Sequence, residues 1–395
     1  MQSLTTILEA ELAALAAADR LRSCPEVAGA SRVHPSIAGQ PRLSFCSNDY
    51  LGLASHPSLL SAATAAAHRD RVGASASRLI SGDLTAHRDL EAGLSAFVGL
   101  PAALVFPTGF QANLGVLTAL AGPQDLIVSD ALNHASIIDG CRLSRAKVAV
   151  YPHADAQAAA DLLAGGGGYR RRLLVTESLF SMDGDAAPLG ELVRAARRHD
   201  AIFIVDEAHA LGVLGPGGRG LCAAAGIVPD VLVGTLGKAL GAAGGFVSGD
   251  RALRSILVNR ARSFIYTTAL PPPIAAAASA ALELTAGPEG DRLRNRLAGH
   301  RRSLGESLAK LGLADRPAGA GAAVGPIVPV CLGSESRALA ASAMLAERGI
   351  FVPAIRPPTV PVGSARLRIT LSAAHHGEDL AALVAALSAL ARLAP

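Results

Sequence analysis

Short apolar runs recur through the middle of the chain, at residues 102–106, 125–128, 147–151, 172–176, 201–205, 231–234 and 245–248. Each is too short for a core helix, and longer stretches with helix-like spacing of apolar positions lie between them. The pattern predicts strands alternating with helices, an α/β fold with a mainly parallel central sheet buried on both faces. Ligands of such sheets sit beyond the carboxyl ends of the strands. Polar residues that directly follow a run are therefore the first candidates for chemistry.

On either side the pattern changes. Residues 1–20 read as an amphipathic helix, and a polar, proline-containing stretch at 31–42 joins it to the rest, so residues 1–47 are expected to be an N-terminal arm. Pro271, Pro272 and Pro273 break the chain before an alanine-rich helix at 274–286, and Gly287-Pro288 marks a turn after it. This sets a large domain at 48–286 and a smaller α+β domain at 287–395, with strands near 326–331, 350–352 and 366–370. Gly165 to Gly168 reads as a loop, and no fixed-period repeat is present.

Of the 395 residues half are hydrophobic and 17% are charged, which excludes a disordered chain. Tryptophan is absent and aromatics are scarce, against a stacking platform for single-stranded nucleic acid. The net charge of +4 is dispersed, the densest basic runs being Arg170-Arg171-Arg172 and Arg301-Arg302. Small anionic ligands are the expected partners, with no nucleic acid. The five cysteines form no Cys-x-x-Cys pair, so neither a disulfide frame nor a metal site is expected. Met1 to Arg20 lacks the early basic residues of a signal peptide, and the alanine-rich segment is too short to span a membrane. A cytoplasmic protein is expected.

Lysine occurs only at 147, 238 and 310, so arginine carries the surface positive charge. Lys238 follows the 231–234 run and is flanked by Gly237 and Gly241, which sets an amine at the edge of a buried sheet. Desolvation there makes an amine nucleophilic, a task guanidinium cannot perform; a solvated loop lysine is the alternative. Asp206 ends the 201–205 run. A carboxylate so placed needs a cation or donors, and a protonated pyridine nitrogen would serve. The cofactor chemistry that wants such a partner is that of pyridoxal phosphate; a turn-capping Asp is the alternative. His209 and His134 lie just beyond strand ends, as site residues or as structural histidines. After the 102–106 run, Gly109 and Phe110 open a helix whose amides make a phosphate nest or an ordinary turn. Gly215 to Gly220 fits Gly-x-Gly-x-x-Gly but lies beyond the strand end and holds Pro216, so no dinucleotide site is expected. His375-His376 lacks metal-site companions. Arg22 and Arg366 read by themselves as surface charges.

The order of these segments is more telling than any one: Thr108-Gly-Phe-Gln-Ala-Asn113, Asn133-His-Ala-Ser136, Thr176-Glu-Ser-Leu-Phe-Ser-Met-Asp-Gly-Asp185, Asp206-Glu-Ala-His209, Gly234-Thr-Leu-Gly-Lys238 and Phe264-Ile-Tyr-Thr-Thr268. Over essentially its full length the chain resembles the α-oxoamine synthases, fold-type I pyridoxal-phosphate enzymes. The segments Ile355-Arg-Pro-Pro-Thr-Val-Pro361 and Ala365-Arg-Leu-Arg-Ile-Thr370 resemble the biotin-pathway branch of that family. The resemblance implies condensation of L-alanine with pimeloyl-CoA, or with pimeloyl on an acyl carrier protein, releasing carbon dioxide and the free thiol.

On that resemblance Lys238 bonds pyridoxal 5'-phosphate and removes the α-proton, Asp206 keeps its ring nitrogen protonated, and His134 stacks on the ring and faces substrate. His209 and Ser181 hydrogen-bond the ring oxygen region. Gly109, Phe110 and Thr235 hold the cofactor, and Thr268 reaches the phosphate of a neighbouring subunit in a homodimer. Arg368 is implied as the clamp for the amino-acid carboxylate, with Asn48, Arg22, Arg356 and Thr359 facing the substrates. Gly73-Ala-Ser-Ala-Ser77 replaces a glycine-richer loop of the family, which bears on acyl-chain preference. The competing readings are sister synthases that use glycine or serine, an aminotransferase on the same fold, and a non-enzymatic binding protein.

Overall fold

The computed structural model describes residues 3–29, 31–165, 167–313 and 324–391. All seven apolar runs are strands of one sheet: β1 Ala102–Phe106, β2 Leu126–Asp130, β3 Lys147–Tyr151, β4 Arg172–Glu177, β5 Ala201–Asp206, β6 Val231–Thr235 and β7 Gly245–Gly249. Their order is β1-β7-β6-β5-β4-β2-β3. The contacts among β6, β5, β4, β2 and β3 are parallel, whereas β7 is antiparallel to both β6 and β1. The short connection at 236–244 explains the reversal, since a parallel return needs a crossover of a dozen or more residues. That connection carries Lys238.

Both faces of the sheet are covered, which is why its strands are apolar runs and not alternating ones. Ile127, Leu173, Ile204 and Val233 pack under helix α1, Gly109–Leu120, and helix α2, Ala135–Ser144, through Ala112, Val116 and Ile137. Val128, Leu174, Phe203 and Val205 face the other way, onto Ala159, Leu163, Leu192 and Ala196 of the helices Ala156–Ala164 and Leu189–Arg198. Each such large side chain contributes about 1.5–3 kcal/mol by leaving water. The sheet is therefore the rigid base on which the loops at its carboxyl end are held.

Thr108 caps α1, its Oγ1 accepting from the Gln111 amide at 3.1 Å. Gly245 lets β7 press against that end of the helix, because a Cβ there would lie 2.5 Å from Gly109 Cα. Gly241 has φ +61° and its missing Cβ would strike the backbone of Ala54, so the Lys238 loop is clamped between β6 and the 53–54 segment. The alanine-rich helix runs Pro272–Ala286, beginning at a proline, where the missing amide costs nothing.

The described residues cluster into two compact units that do not follow chain order. Among the described residues, one takes those within 48–298 and 324–325; the other takes those within 3–47, 299–313 and 326–391. In the second, β8 Ile327–Gly333, β9 Ala354–Ile355 and β10 Ala365–Thr370 form an antiparallel sheet in the order β8-β10-β9. Leu43 and Ser44 pair in parallel with Ile350 and Phe351. His375 is a core residue here. Its ring stacks on Phe45 at 4.2 Å, its Nε2 meets the Ser44 carbonyl at 3.0 Å, and burial pushes its pKa down to about 4.

Arg366 is not the surface charge its sequence suggests: it is 2% exposed on β10, and its Nε donates to the Ser364 carbonyl. Arg368 lies two residues on, on the same strand face, also buried, and its Nη1 donates to Thr370 Oγ1 at 3.0 Å. The helix Leu4–Ala17, capped by Ser3, exposes all its residues. Among the described residues no helix is long and apolar enough to cross a membrane.

Candidate active site

Beyond the carboxyl ends of β4, β5 and β6 lies a cavity of about 160 Å³. Gly109, Phe110, Asn113, His134, Ser136, Glu177, Asp206, His209, Thr235 and Lys238 line it. Gly109, Phe110, His134, Asp206, His209, Thr235 and Lys238 were each expected at a site from sequence, and one wall or another of this cavity holds them all. Asn113, Ser136 and Glu177 were not. They lie inside the conspicuous segments, but only strand register and helix phase reveal that they face inward.

Asp206 ends β5 with its carboxylate buried and tied on both oxygens. Oδ1 accepts from the Ala208 amide at 2.8 Å and Oδ2 from Asn113 Nδ2 at 2.8 Å. Asn113 also donates to Ser136 Oγ at 2.9 Å, so α1 and α2 are both pinned to the end of β5. These neutral donors orient the carboxylate without cancelling its charge. The cavity floor is therefore a fixed anion.

Glu177 ends the neighbouring strand β4 in direct register with Asp206. Two carboxylates side by side in a desolvated place cannot both ionise cheaply. Burial first, and then the charge of Asp206, push the Glu177 carboxyl up to about 8, against the pull of Lys238. Its Oε1 is buried without a hydrogen-bond partner among the described residues. Glu207, equally buried, turns away from the cavity: it accepts from Ser178 Oγ at 2.7 Å and from the amides of Leu221 and Cys222, capping the helix Gly220–Ala224. Gly220 has no side chain because a Cβ there would meet the Glu207 carboxylate at 2.6 Å. The glycines at 215–220 thus serve a cap, not a nucleotide.

Lys238 is half-buried, and its Nζ lies 2.7 Å from His209 Nε2. On the far side of that ring Nδ1 lies 2.6 Å from the Tyr50 hydroxyl, which donates to Asn48 Oδ1 at 3.1 Å. His134 caps α2, its Nδ1 accepting from the Ser136 amide at 3.2 Å. Its outer edge meets solvent and its ring stands edge-on to Phe110 at 6.4 Å between centroids. Partial burial lowers its pKa, opposed by the charge of Asp206. Thr235 Oγ1 donates to the Gly244 carbonyl and accepts from the Gly237 amide, bracing the two ends of the Lys238 loop.

Of the remaining expected residues, Ser181 is half-buried in the turn after β4 and Thr268 is exposed before the Pro272–Ala286 helix. Arg22, Arg356 and Thr359 belong to the other unit, where they meet. Arg22 Nη2 donates to the Pro357 carbonyl at 3.2 Å, Arg356 donates to the carbonyls of Asp19 and Leu21, and the Thr359 amide donates to the Arg356 carbonyl. The 73–77 loop, which replaces a glycine-richer one, holds Ser75 at φ +61°, a backbone conformation that favours glycine.

The aminotransferase class I and II family model matches residues 41–387. An 8-amino-7-oxononanoate synthase from Anaeromyxobacter dehalogenans is 50% identical over 96% of this chain and 94% of its own. The chain belongs to the 8-amino-7-oxononanoate synthases. Members of this family are pyridoxal-phosphate-dependent acyltransferases of biotin biosynthesis. The synthase fold is shared more widely. A serine palmitoyltransferase from S. paucimobilis, solved with a bound PLP–myriocin aldimine, superposes with a TM-score of 0.92 at 30% identity over 99% of both chains. The crystal structure of 8-amino-7-oxononanoate synthase from Francisella tularensis gives a TM-score of 0.76 at 29% identity, over 89% of this chain and 98% of that one.

Proposed function

We propose that this synthase condenses L-alanine with a pimeloyl thioester, carried by coenzyme A or an acyl carrier protein, to give 8-amino-7-oxononanoate, carbon dioxide and the free thiol. The observation that carries the reading is the pairing, across one cavity, of an anchored buried anion at Asp206 with the amine of Lys238. Together they fit pyridoxal 5'-phosphate. Asp206, its lone pairs aimed by Asn113 and Ala208, would hold a protonated ring nitrogen. The first amides of α1, at Gly109 and Phe110, lie where a helix N-terminus takes a phosphate. When bound, the cofactor supplies an electron sink for the carbanion that forms at the amino acid's α-carbon.

The rest is the work of the protein's own groups. Lys238 would provide the amine that holds the cofactor and a base placed for the α-proton. His134 closes one face of the cavity over Ser136, and Thr235 keeps the lysine loop braced. Ser181 and His209 would flank the ring-oxygen side of the cofactor. Arg368 offers a planar guanidinium for the amino-acid carboxylate, and Asn48, Arg22, Arg356 and Thr359 serve the two substrates.

A homodimer completes the reading, with Thr268 reaching the partner's phosphate site. In its favour, Ile80 is 81% exposed in the short helix Arg78–Gly82 and Tyr266 is 71% exposed at the end of the helix Arg262–Ile265, two elements that touch one another. Sedimentation velocity tests it. The fold neighbours raise serine and palmitoyl thioester as the rival pair, but they stand at about 30% identity against 50% for an 8-amino-7-oxononanoate synthase. The deciding experiment offers the holoenzyme equal alanine, glycine and serine with equal acetyl-, succinyl-, pimeloyl- and palmitoyl-CoA and with pimeloyl-acyl carrier protein, and reads products by mass spectrometry. A dominant 8-amino-7-oxononanoate mass supports the proposal; another amino ketone moves the specificity, and none refutes the reaction.

A further inference from the structure

Tyr50 has no assigned role, yet it is fully buried and stands behind the site. Asp49 holds it there by accepting from the amides of Leu53 at 2.8 Å and Ala54 at 3.2 Å, which fixes the turn that carries both residues. From Asn48 a line of three contacts leads through Tyr50 to the reactive amine. The hydroxyl donates to Asn48 Oδ1 at 3.1 Å, lies 2.6 Å from His209 Nδ1, and His209 Nε2 lies 2.7 Å from Lys238 Nζ.

A phenol has one hydrogen. With that hydrogen given to Asn48, the 2.6 Å contact requires the hydrogen on His209 Nδ1. A neutral imidazole has one N–H, so Nε2 then carries a lone pair, and it points at Lys238. We propose that Tyr50 is a positioning residue which, with Asn48, fixes His209 in its Nδ1–H tautomer and so makes Nε2 the acceptor for the proton of Lys238. The transfer balances: the ammonium gives one proton to Nε2, leaving a neutral amine with its electron pair free and an imidazolium that donates from Nδ1 to the Tyr50 oxygen. The free pair is what attacks a carbonyl carbon.

The inference rests on the reading of Lys238 as the residue that bonds pyridoxal phosphate, but its test separates the two. Nitrogen-15 NMR of histidine-labelled apoenzyme, with His209 assigned from the His209→Gln spectrum, reads the tautomer without cofactor. The expected result is Nδ1–H in the wild type, and loss of that preference in Tyr50→Phe, which keeps the ring and removes only the hydroxyl. Tyr50→Phe should also capture pyridoxal phosphate about five- to tenfold more slowly, the worth of one lost hydrogen bond. Should that variant not fold, Asn48→Ala frees the phenol hydrogen for His209 and is expected to invert the tautomer to Nε2–H. An Nε2–H wild type overturns the proposal, as does a tautomer or capture rate unmoved by Tyr50→Phe, or one unmoved by Asn48→Ala. A wild type that captures no cofactor refutes the proposed function instead, whatever the tautomer.

Discussion

Glu177→Gln isolates a cost that the synthase bears for its cavity. In the folded chain the Glu177 carboxyl holds its proton up to about pH 8, whereas the ordinary value is 4.5. Between those two values the unfolded chain has released a proton that the folded chain keeps. The unfolded state then binds fewer protons, so stability falls as pH rises from 4.5 and levels off above 8. At pH 7, roughly 2.5 pH units above the lower value, the loss is about 3 kcal/mol. Glutamine has the same shape and nothing to titrate. Urea midpoints of the two apoenzymes, measured from pH 5 to 9, should diverge steadily in favour of Glu177→Gln and run parallel above pH 8. Any contribution shared by both proteins cancels in the difference. Curves that stay parallel from pH 5 to 8 would show Glu177 to be ionised in the fold, and the argument from paired carboxylates would fail.

Four further outcomes are expected. Lys238→Ala should abolish turnover while the thermal midpoint stays within a few degrees, since no core cavity opens; near-normal turnover refutes its role. Asp206→Asn keeps the Asn113 and Ala208 contacts partly intact but removes the anion, and equilibrium dialysis should show pyridoxal phosphate bound at least tenfold more weakly. His153 bridges Asp130 at 2.9 Å and Asp185 at 2.8 Å and is thereby held charged up to about pH 10. Its raised value contributes stability that is complete below 6.5 and lost as pH rises toward 10; His153→Ala should cost about 3–5 kcal/mol at pH 6 by stranding two buried carboxylates, measured by urea unfolding. Ser75→Gly should stabilise by about 0.5–1 kcal/mol in the same assay, because relief of the left-handed strain exceeds the added chain entropy.

The strands were legible because both faces of the sheet are buried, which turns each into an apolar run that needs no knowledge of its neighbours. Asp206, Lys238 and Gly109 were legible for a related reason: each lies within four residues of the end of such a run. Glu177 was not, although it closes one too, because its meaning depends on lying opposite Asp206, and register is not written in either strand alone. Tyr50 was hidden similarly. Its hydroxyl acts on His209, a residue distant in sequence, and an aromatic residue in a turn reads as core. Arg366 misled because charge predicts exposure unless the backbone supplies an acceptor, here the Ser364 carbonyl. The loop at 73–77 was flagged for its lost glycines, and Ser75 now bears the conformation such a glycine would adopt without strain.

The grouping of the first 47 residues with the last stretch of the chain bears on how the protein emerges from the ribosome. Residues of the large unit arrive in nearly unbroken order, so its sheet has every strand in hand before β8 is translated. Leu43, by contrast, waits for Ile350 to pair with it. Closing so long a loop costs only about 0.6 kcal/mol more than closing a flexible loop half its length. A nascent chain stalled near residue 300 should therefore present a protease with a resistant centre and a cleavable leading segment, a state that full synthesis would erase.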